Sequence, residues 1–413
     1  MRTTSTTLLL LGGLGGVASA NGFYINEHDA KVTGRAGAAV ASDTDASAIV
    51  YNPGGIAVSE GTQVSFGGAL IVASGRYTDT GGAATDTNSS PAVLPQLMVT
   101  SKLHPMVAVG IGFHLPFGLA ISWPETSPQA DVALTQSLRT YFITPSVGVN
   151  LGKQVPGLSI GAGLDIVPST VELTQAVTFG DPNNGGTRGS AQLGGDAFGI
   201  GFRAGVMYRP PALKALQVGV AYKSQVNLDF KGTGDFDIAA PYRNQLPPDG
   251  DIATSVTLPM SAQFGVAYRP IPKLQVEANA SWINWSKFKE IRIDLPGDAP
   301  DLVSPQDYKD TVTFRLGAEY AVSPKIAVRG GYIYDPTPVP NTTVSARLPD
   351  ANRHDVTLGG SYNMGSYEVN LGLLAVLPSK QETSDVMYQP LFKGTYEVKA
   401  FVASLGLNAR FGK

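Results

Sequence analysis

The chain has 413 residues with 48 Gly, 29 Pro and no Cys, and only 15% of it is charged, against about 25% in soluble domains. A net charge of −3 provides no electrostatic footprint for nucleic acid, and the lack of cysteine excludes disulfides, thiolate nucleophiles and Cys-ligated metals. Hydrophobic residues make up 43% at a mean hydropathy of +0.03, which excludes a disordered chain and a bundle of membrane helices.

At the amino end, Arg2, the apolar run around Leu8 to Leu11 and the small residues Ala18-Ser19-Ala20 read as a signal peptide over 1–20, cleaved near Ala20. The run is too short and Gly-rich for a membrane helix, which needs about 20 apolar residues. No later run is long enough either, so any membrane role must use strands. Residues 21–60 lack strand alternation but carry Phe23, Tyr24, Ile25, Val40, Ile49, Val50, Tyr51 and Ile56 beside Asn52-Pro53-Gly54-Gly55. They are too apolar for a loose tail, and a folded plug, or hatch, inside a lumen is expected.

From residue 61 to 413 the pattern is period two. Even positions from Ile252 to Tyr268 form one apolar row, and Val218, Val220, Tyr222, Val226, Leu228 and Phe230 form another, as side chains do on one face of a strand. Such segments are expected to start near Thr62, Ala92, Met106, Gln136, Leu158, Ala191, Lys214, Ile252, Lys273, Tyr308, Lys325, Arg353, Ser366 and Thr395. Tight links such as His104-Pro105, Pro210-Pro211 and Ser323-Pro324 take turns with long polar loops near 74–91, 116–135, 174–190, 231–251, 295–307, 335–352 and 378–394. An even number of long antiparallel strands with this asymmetry is the layout of an all-β outer-membrane barrel, and fourteen strands are expected. Tyr208 and Tyr268, each just before a tight turn, are assigned to the periplasmic aromatic girdle. In the last strand the apolar side changes between Tyr396, Val398 and Leu405, Leu407, so a bulge is expected near Val402. Phe411 is followed by Gly412 and Lys413, where barrel chains usually end on the aromatic residue.

Several ordered motifs carry a resemblance. Asn21-Gly22-Phe23, Gly34-Arg35-Ala36 and Asn52-Pro53-Gly54 are followed by Leu115-Pro116-Phe117-Gly118 leading to Trp123, by Trp282 to Phe288, and by Gly331 to Pro340 with Leu348-Pro349-Asp350 behind it. In this order and spacing the chain resembles the FadL-type outer-membrane transporters of long-chain fatty acids, whose relatives take up aromatic hydrocarbons. The resemblance implies an amino-terminal hatch, a kinked third strand beside which ligand leaves sideways into the membrane, and no enzymatic activity. It implies ligand-binding or gating roles for Asn52, Pro53 and Gly54 in the hatch, and a carboxylate site for which Lys287, Lys289 and Arg292 are candidates.

By parity alone Arg203, Lys223, Arg315 and Arg329 face the lumen, either toward a ligand carboxylate or paired with Asp229, Glu277 or Glu319. The family's basic residue in the fifth strand is replaced by Pro168-Ser169-Thr170, which favours a less charged ligand. Gly110 and Gly112 are candidates for the kink. Phe117, Leu119 and Trp123 suit an exposed ligand groove in the outer loop. Gly157-Leu158-Ser159-Ile160-Gly161 matches a nucleophile elbow but enters a strand, so a lipase is the enzyme alternative and an open porin another. No catalytic residue, cofactor or metal is expected. Expected partners are a long-chain fatty acid or other hydrophobic small molecule, outer-membrane lipid and lipopolysaccharide, and the assembly machinery, with the chain acting as a monomer in a Gram-negative outer membrane.

Overall fold

The computed structural model describes residues 21–88, 90–180, 187–385 and 392–412; the signal-peptide expectation for 1–20 lies outside them, as do parts of the loops at 174–190 and 378–394. Alternation becomes strand in fourteen places. The strands are β1 (Thr62–Asp79), β2 (Ala92–His104), β3 (Val107–His114, resumed at Gly118–Ser122) and β4 (Thr135–Thr140 with Phe142–Asn150). They continue as β5 (Leu158–Phe179), β6 (Thr187–Tyr208), β7 (Leu216–Lys223 with Val226–Asp237), β8 (Gly250–Leu258 with Ser261–Ile271) and β9 (Leu274–Ile283 with Glu290–Asp294). The last are β10 (Leu302–Pro305 with Thr311–Ala321), β11 (Ile326–Asp335), β12 (Arg353–Asn363), β13 (Tyr367–Glu382) and β14 (Gly394–Phe411). Strand β14 returns to β1 in unbroken antiparallel register from Thr62↔Phe411 to Asp79↔Gly394, closing the ring.

Around the membrane band Phe66, Phe198, Phe264, Phe314 and Leu405 point outward and are exposed, while Gln63, Gln263, Thr313, Thr357 and Ser404 are buried on the lumen side. This is the apolar-out, polar-in pattern that hydrocarbon imposes. Tyr208 and Tyr268 both project outward at the short-turn end, flanking β7 through Val218↔Tyr208 and Leu216↔Tyr268.

The single apolar rows read for β7 and β8 need correction. In β7 the buried positions are Gln217 and Ala221 below Ser224-Gln225 but Val226, Leu228 and Phe230 above it. In β8 they are Ser261, Gln263 and Ala267 below Pro259-Met260 but Ile252 and Leu258 above. One extra residue in each strand reverses the faces. The even-numbered apolar residues therefore face lipid below the break and the lumen above it. Strand β14 has no bulge near Val402: Tyr396, Val398, Val402 and Ser404 are all buried in that unbroken register, and the irregularity lies in β13 between Val376 and Ser379. Its apolar residues change sides because the outer lumen is itself apolar.

Residues 21–59 fill the lumen as short helices α1 (Ala30–Thr33) and α2 (Ala48–Tyr51) and a 3-10 turn (Pro53–Val58). Asp29 caps α1 by accepting from the Val32 N–H. Glu277 on β9 accepts from the Ala41 N–H at 2.8 Å and from the Ser42 hydroxyl. The plug backbone lies directly on the wall where the wall offers glycine. A Cβ would meet Pro53 O at 2.1 Å at Gly161, Val40 O at 2.1 Å at Gly219, Arg35 O at 2.2 Å at Gly317 and Ala30 O at 2.4 Å at Gly372. Much of the glycine surplus is thus explained by backbone approach.

Gly317→Val should push the plug off the wall at a cost of about 1–3 kcal/mol. The expected result is faster tryptic cleavage after the half-buried Lys31 and the buried Arg35 and a lower thermal midpoint. Gly330→Val, where the nearest atom stands 3.5 Å from the new Cβ, should leave both unchanged.

Candidate functional site

The wall is interrupted at β3. Below the interruption Val107–His114 pairs with both β2 and β4. Above it Gly118–Ser122 pairs only with β4, through Gly118↔Arg139 to Ser122↔Thr135. The β2–β3 ladder stops at Leu97↔Phe113, so Ala92 to Gln96 of β2 are paired to β1 alone. The break itself is Leu115-Pro116-Phe117, where proline supplies no N–H for a ladder. Asn88 closes the top by donating its N–H to Ser122 O at 2.8 Å. A bounded lateral slot results. Gly110 and Gly112, read as the kink, lie below it in regular pairing, where their added Cβ atoms would meet Ile49 of the plug at 2.8 and 3.0 Å.

The amino-terminal segment covers this slot. The Ile25 N–H donates to Pro116 O at 2.8 Å and the Gly118 N–H to Phe23 O at 3.0 Å, making Tyr24 and Phe117 an antiparallel pair. Phe23 stacks edge-on against Trp285 and Phe288, with centroids 4.9 and 5.5 Å apart. Asn21 accepts from the Trp285 indole N–H at 2.7 Å and donates to Thr313 at 3.0 Å. Asp350, in the loop between β11 and β12, accepts from the Gly22 N–H at 3.3 Å and the Thr337 hydroxyl at 2.7 Å. Burial pushes its carboxyl up to about 8.

Above this segment the face reversal builds an apolar chamber in which Phe142, Leu228, Phe230, Leu258, Ile283 and Tyr308 are buried together. Phe117 and Trp123 belong to the same cluster, with Leu119 packed on it, and the Trp123 indole donates to Ala346 O at 2.9 Å. The expected exposed groove of loop 116–135 is therefore turned inward, because its aromatic residues face an apolar interior. Lys287, Lys289 and Arg292 lie outside the lumen: all three are exposed, and Arg292 is paired with Glu290 and Asp301 at 3.0 Å. Their alternation partners Phe288 and Ile293 point in instead.

The cations chosen by parity separate into two kinds. Arg203 holds Asp165 at 2.7 Å and donates to the carbonyls of Ile49 and Val50 in the plug at 3.0 and 3.3 Å. Arg329 holds Glu319 at 2.6 Å and Arg315 approaches Glu27 at 3.8 Å. Asp229 faces outward and accepts from Ser255. Lys223 differs, since its Nζ donates to the Tyr24 hydroxyl at 3.3 Å and no carboxylate lies within ion-pair distance among the described residues. Phe117, Phe142, Val226, Leu258 and Ile283 share its cavity. Asn52 sits beneath, donating to Val40 O at 2.7 Å and Val206 O at 3.1 Å and accepting from the Gly54 N–H, with Pro53 and Gly54 against glycines of β5 and β6. Nothing in the sequence marks the pairing of Tyr24 with the break, since Pro116 reads there as the start of the loop 116–135 rather than as an interruption of a strand.

The family model for outer membrane protein transport protein (OMPP1/FadL/TodX) matches residues 13–411. The long-chain fatty acid transport protein of Salmonella typhi is 24% identical over 83% of each chain, and the 47 kDa outer membrane protein of Pasteurella multocida 25% over 96% of this chain and 95% of that one. The fold is also that of a Pseudomonas aeruginosa FadL homologue (TM-score 0.82, 20% identity, 95% of this chain and 100% of that chain). The P. putida toluene transporter TodX is similar as well (TM-score 0.75, 18% identity, 94% and 99%). The chain belongs to the OMPP1/FadL/TodX family of outer-membrane transport proteins.

Proposed function

We propose that this transporter takes up amphipathic molecules with an anionic head, long-chain fatty acids being the type, without an energy source. Lys223 carries the reading: a cation in no ion pair among the described residues, hydrogen-bonded to a phenol and facing a largely apolar cavity whose Asp165 is held by Arg203, suits a carboxylate whose tail lies in the chamber. Lys223 supplies from β7 the charge that Pro168-Ser169-Thr170 of β5 lacks.

The cavity at Lys223 has a volume of about 20 Å³, room for roughly one water. A ligand enters it by displacing Phe23 to Ile25. That displacement breaks the two backbone hydrogen bonds to Pro116 and Gly118, so ligand arrival and slot opening are one event. The tail then leaves between β2 and β3 into the membrane, past the exposed Val93 and Leu97. The Asn52-Pro53-Gly54 turn acts as the hinge side of the hatch, held to β6 through Val206 O. Aromatic hydrocarbon uptake is the second reading, favoured by the aromatic lining of the chamber; it has no use for Lys223.

Lys223→Met should lower uptake of labelled oleate by cells about tenfold, the value of one charge-assisted hydrogen bond, and leave toluene uptake unchanged. Oleate uptake insensitive to that change would transfer the assignment to neutral hydrocarbons. A separate measurement addresses the route. Tyr24 and Phe117 form a non-hydrogen-bonded antiparallel pair, whose Cα atoms lie about 4.5 Å apart, within disulfide range. In this cysteine-free chain, Tyr24→Cys combined with Phe117→Cys should block oleate uptake when oxidised and restore it on reduction. Equal uptake in both redox states would show that ligand takes another path.

A further inference from the structure

We propose that the four short turns joining β4 to β5, β6 to β7, β8 to β9 and β10 to β11 form a docking arc for anionic phospholipids of the periplasmic leaflet. Each turn offers a lysine to a lipid phosphate and an apolar side chain to the acyl region. The arc is independent of the uptake reading above.

The turns with their strand ends span 151–157, 209–215, 269–273 and 322–325. They carry Lys153, Arg209, Lys214, Arg269, Lys273 and Lys325 and not one Asp or Glu. The net charge of −3 conceals this, because the outer extension exposes Asp196, Asp229, Asp235, Asp251 and Asp294 at the opposite end. Backbone hydrogen bonds lace the turns side by side. The Arg209 N–H donates to Gly157 O at 2.9 Å, the Arg269 N–H to Ala215 O at 2.8 Å and the Ala321 N–H to Lys273 O at 2.8 Å. The cations therefore follow one another along the rim from β4 to β11. Arg209 and Arg269 rest on neutral amides, Gln217 at 2.7 Å and Gln275 at 2.8 Å. The four lysines are exposed and in no ion pair among the described residues. Burial and the neighbouring Arg269 push the Arg209 guanidinium down from its ordinary value, so the arc is not neutralised from within.

A basic arc alone would suit any polyanion; its apolar neighbours select a lipid. Within two residues of each lysine stands a large apolar side chain, Val155, Leu213, Ile271 or Ile326, with 43 to 60% of its surface exposed. Tyr208 and Tyr268, exposed on the lipid side, immediately precede Arg209 and Arg269, which sets these cations at headgroup level. A lysine stem can lie along the apolar neighbour while its ammonium reaches a phosphate. Pro156, Pro211, Pro272 and Pro324 stiffen the turns, so less chain entropy is lost when a lipid is held. The turns at 104–106 and 364–366 carry neither lysine nor arginine. The arc is thus confined to β4–β11, and the lipid it holds stands away from the slot between β2 and β3.

Native mass spectrometry of the full chain, released from nanodiscs of phosphatidylglycerol and phosphatidylcholine in equal parts, reads which lipids stay bound. The wild type is expected to retain mainly phosphatidylglycerol. Lys153→Gln, Lys214→Gln, Lys273→Gln and Lys325→Gln should each weaken the hold at their own turn about fivefold, and together they should remove the preference. The same four positions changed to Arg should keep it, and Lys287→Gln with Lys289→Gln, at the outer end, should leave it unchanged. An unaltered thermal midpoint in phosphatidylcholine alone should report an intact barrel in every variant. Equal retention of the two lipids by the wild type, or a preference that survives the loss of all four lysines, would overturn the arc. Displacement of bound lipid by inorganic phosphate or by polyglutamate at constant ionic strength would overturn it too, assigning the rim to a free anion or to an acidic protein.

Discussion

The rest of the structure depends on backbone hydrogen bonding at the interruption of β3. Hydrocarbon tolerates no unpaired N–H or C=O, each costing several kcal/mol, yet Pro116 ends the β2–β3 ladder at Leu97↔Phe113. Phe23 and Ile25 meet that requirement by pairing with Gly118 and Pro116. The segment that pairs with the break is also the floor of the apolar chamber and carries the hydroxyl facing Lys223. One peptide thus serves as missing strand, chamber floor and partner of Lys223, so none of these can change without the others.

A second constraint is the reversal of strand faces at Ser224-Gln225 and Pro259-Met260. A barrel must be apolar outside at membrane depth and has no such need in its outer extension, where water lies outside. Adding one residue to each of two neighbouring strands moves their apolar row from lipid to lumen at that level. The result is an interior that changes from Gln217, Gln263 and Thr313 below to Leu228, Phe230 and Leu258 above, a gradient from polar plug contacts to an oily chamber. Lys223 sits at the seam, the last inward residue before the reversal in β7.

This explains what could be read from the sequence. Strand count and starts were legible because lipid exposure enforces period two; Thr62, Ala92, Leu158 and Arg353 begin strands where alternation begins. The face reversals were not, because the even-numbered apolar run from Ile252 to Tyr268 continues through Pro259 without a change in pattern. Gly110 and Gly112 do not mark the kink, because glycine serves close approach as well as bending, and here Ile49 of the plug is what approaches. Lys287 in a 3-10 turn, Lys289 just before the strand extension and Arg292 on it are exposed charges outside the lumen, where an outward cation costs little and parity within the barrel gives no guide. Lys223 was reachable by parity but indistinguishable from Arg203, since only three-dimensional placement separates a cation with Asp165 from one with a phenol.

The plug is held by two unlike kinds of contact, and the difference bears on the route proposed above. From Ala30 to Val58 its backbone rests on wall glycines, while Arg203 and the Asn52 amide fix it to β6 and Glu277 fixes it to β9. Contact at 2 to 3 Å from an absent Cβ leaves no space for a guest, so this stretch is a seal. From Asn21 to Ile25 the contacts are aromatic edges, two ladder bonds, the Asp350 carboxyl and the side-chain hydrogen bonds of Asn21 and Tyr24. A hydrophobic ligand can replace aromatic edges with its own tail at little net cost, because apolar surface exchanges for apolar surface, and the freed ladder groups of Pro116 and Gly118 then border the slot. On the uptake route proposed above, the lumen need never open as an aqueous pore, since the seal would stay in place while five residues yield.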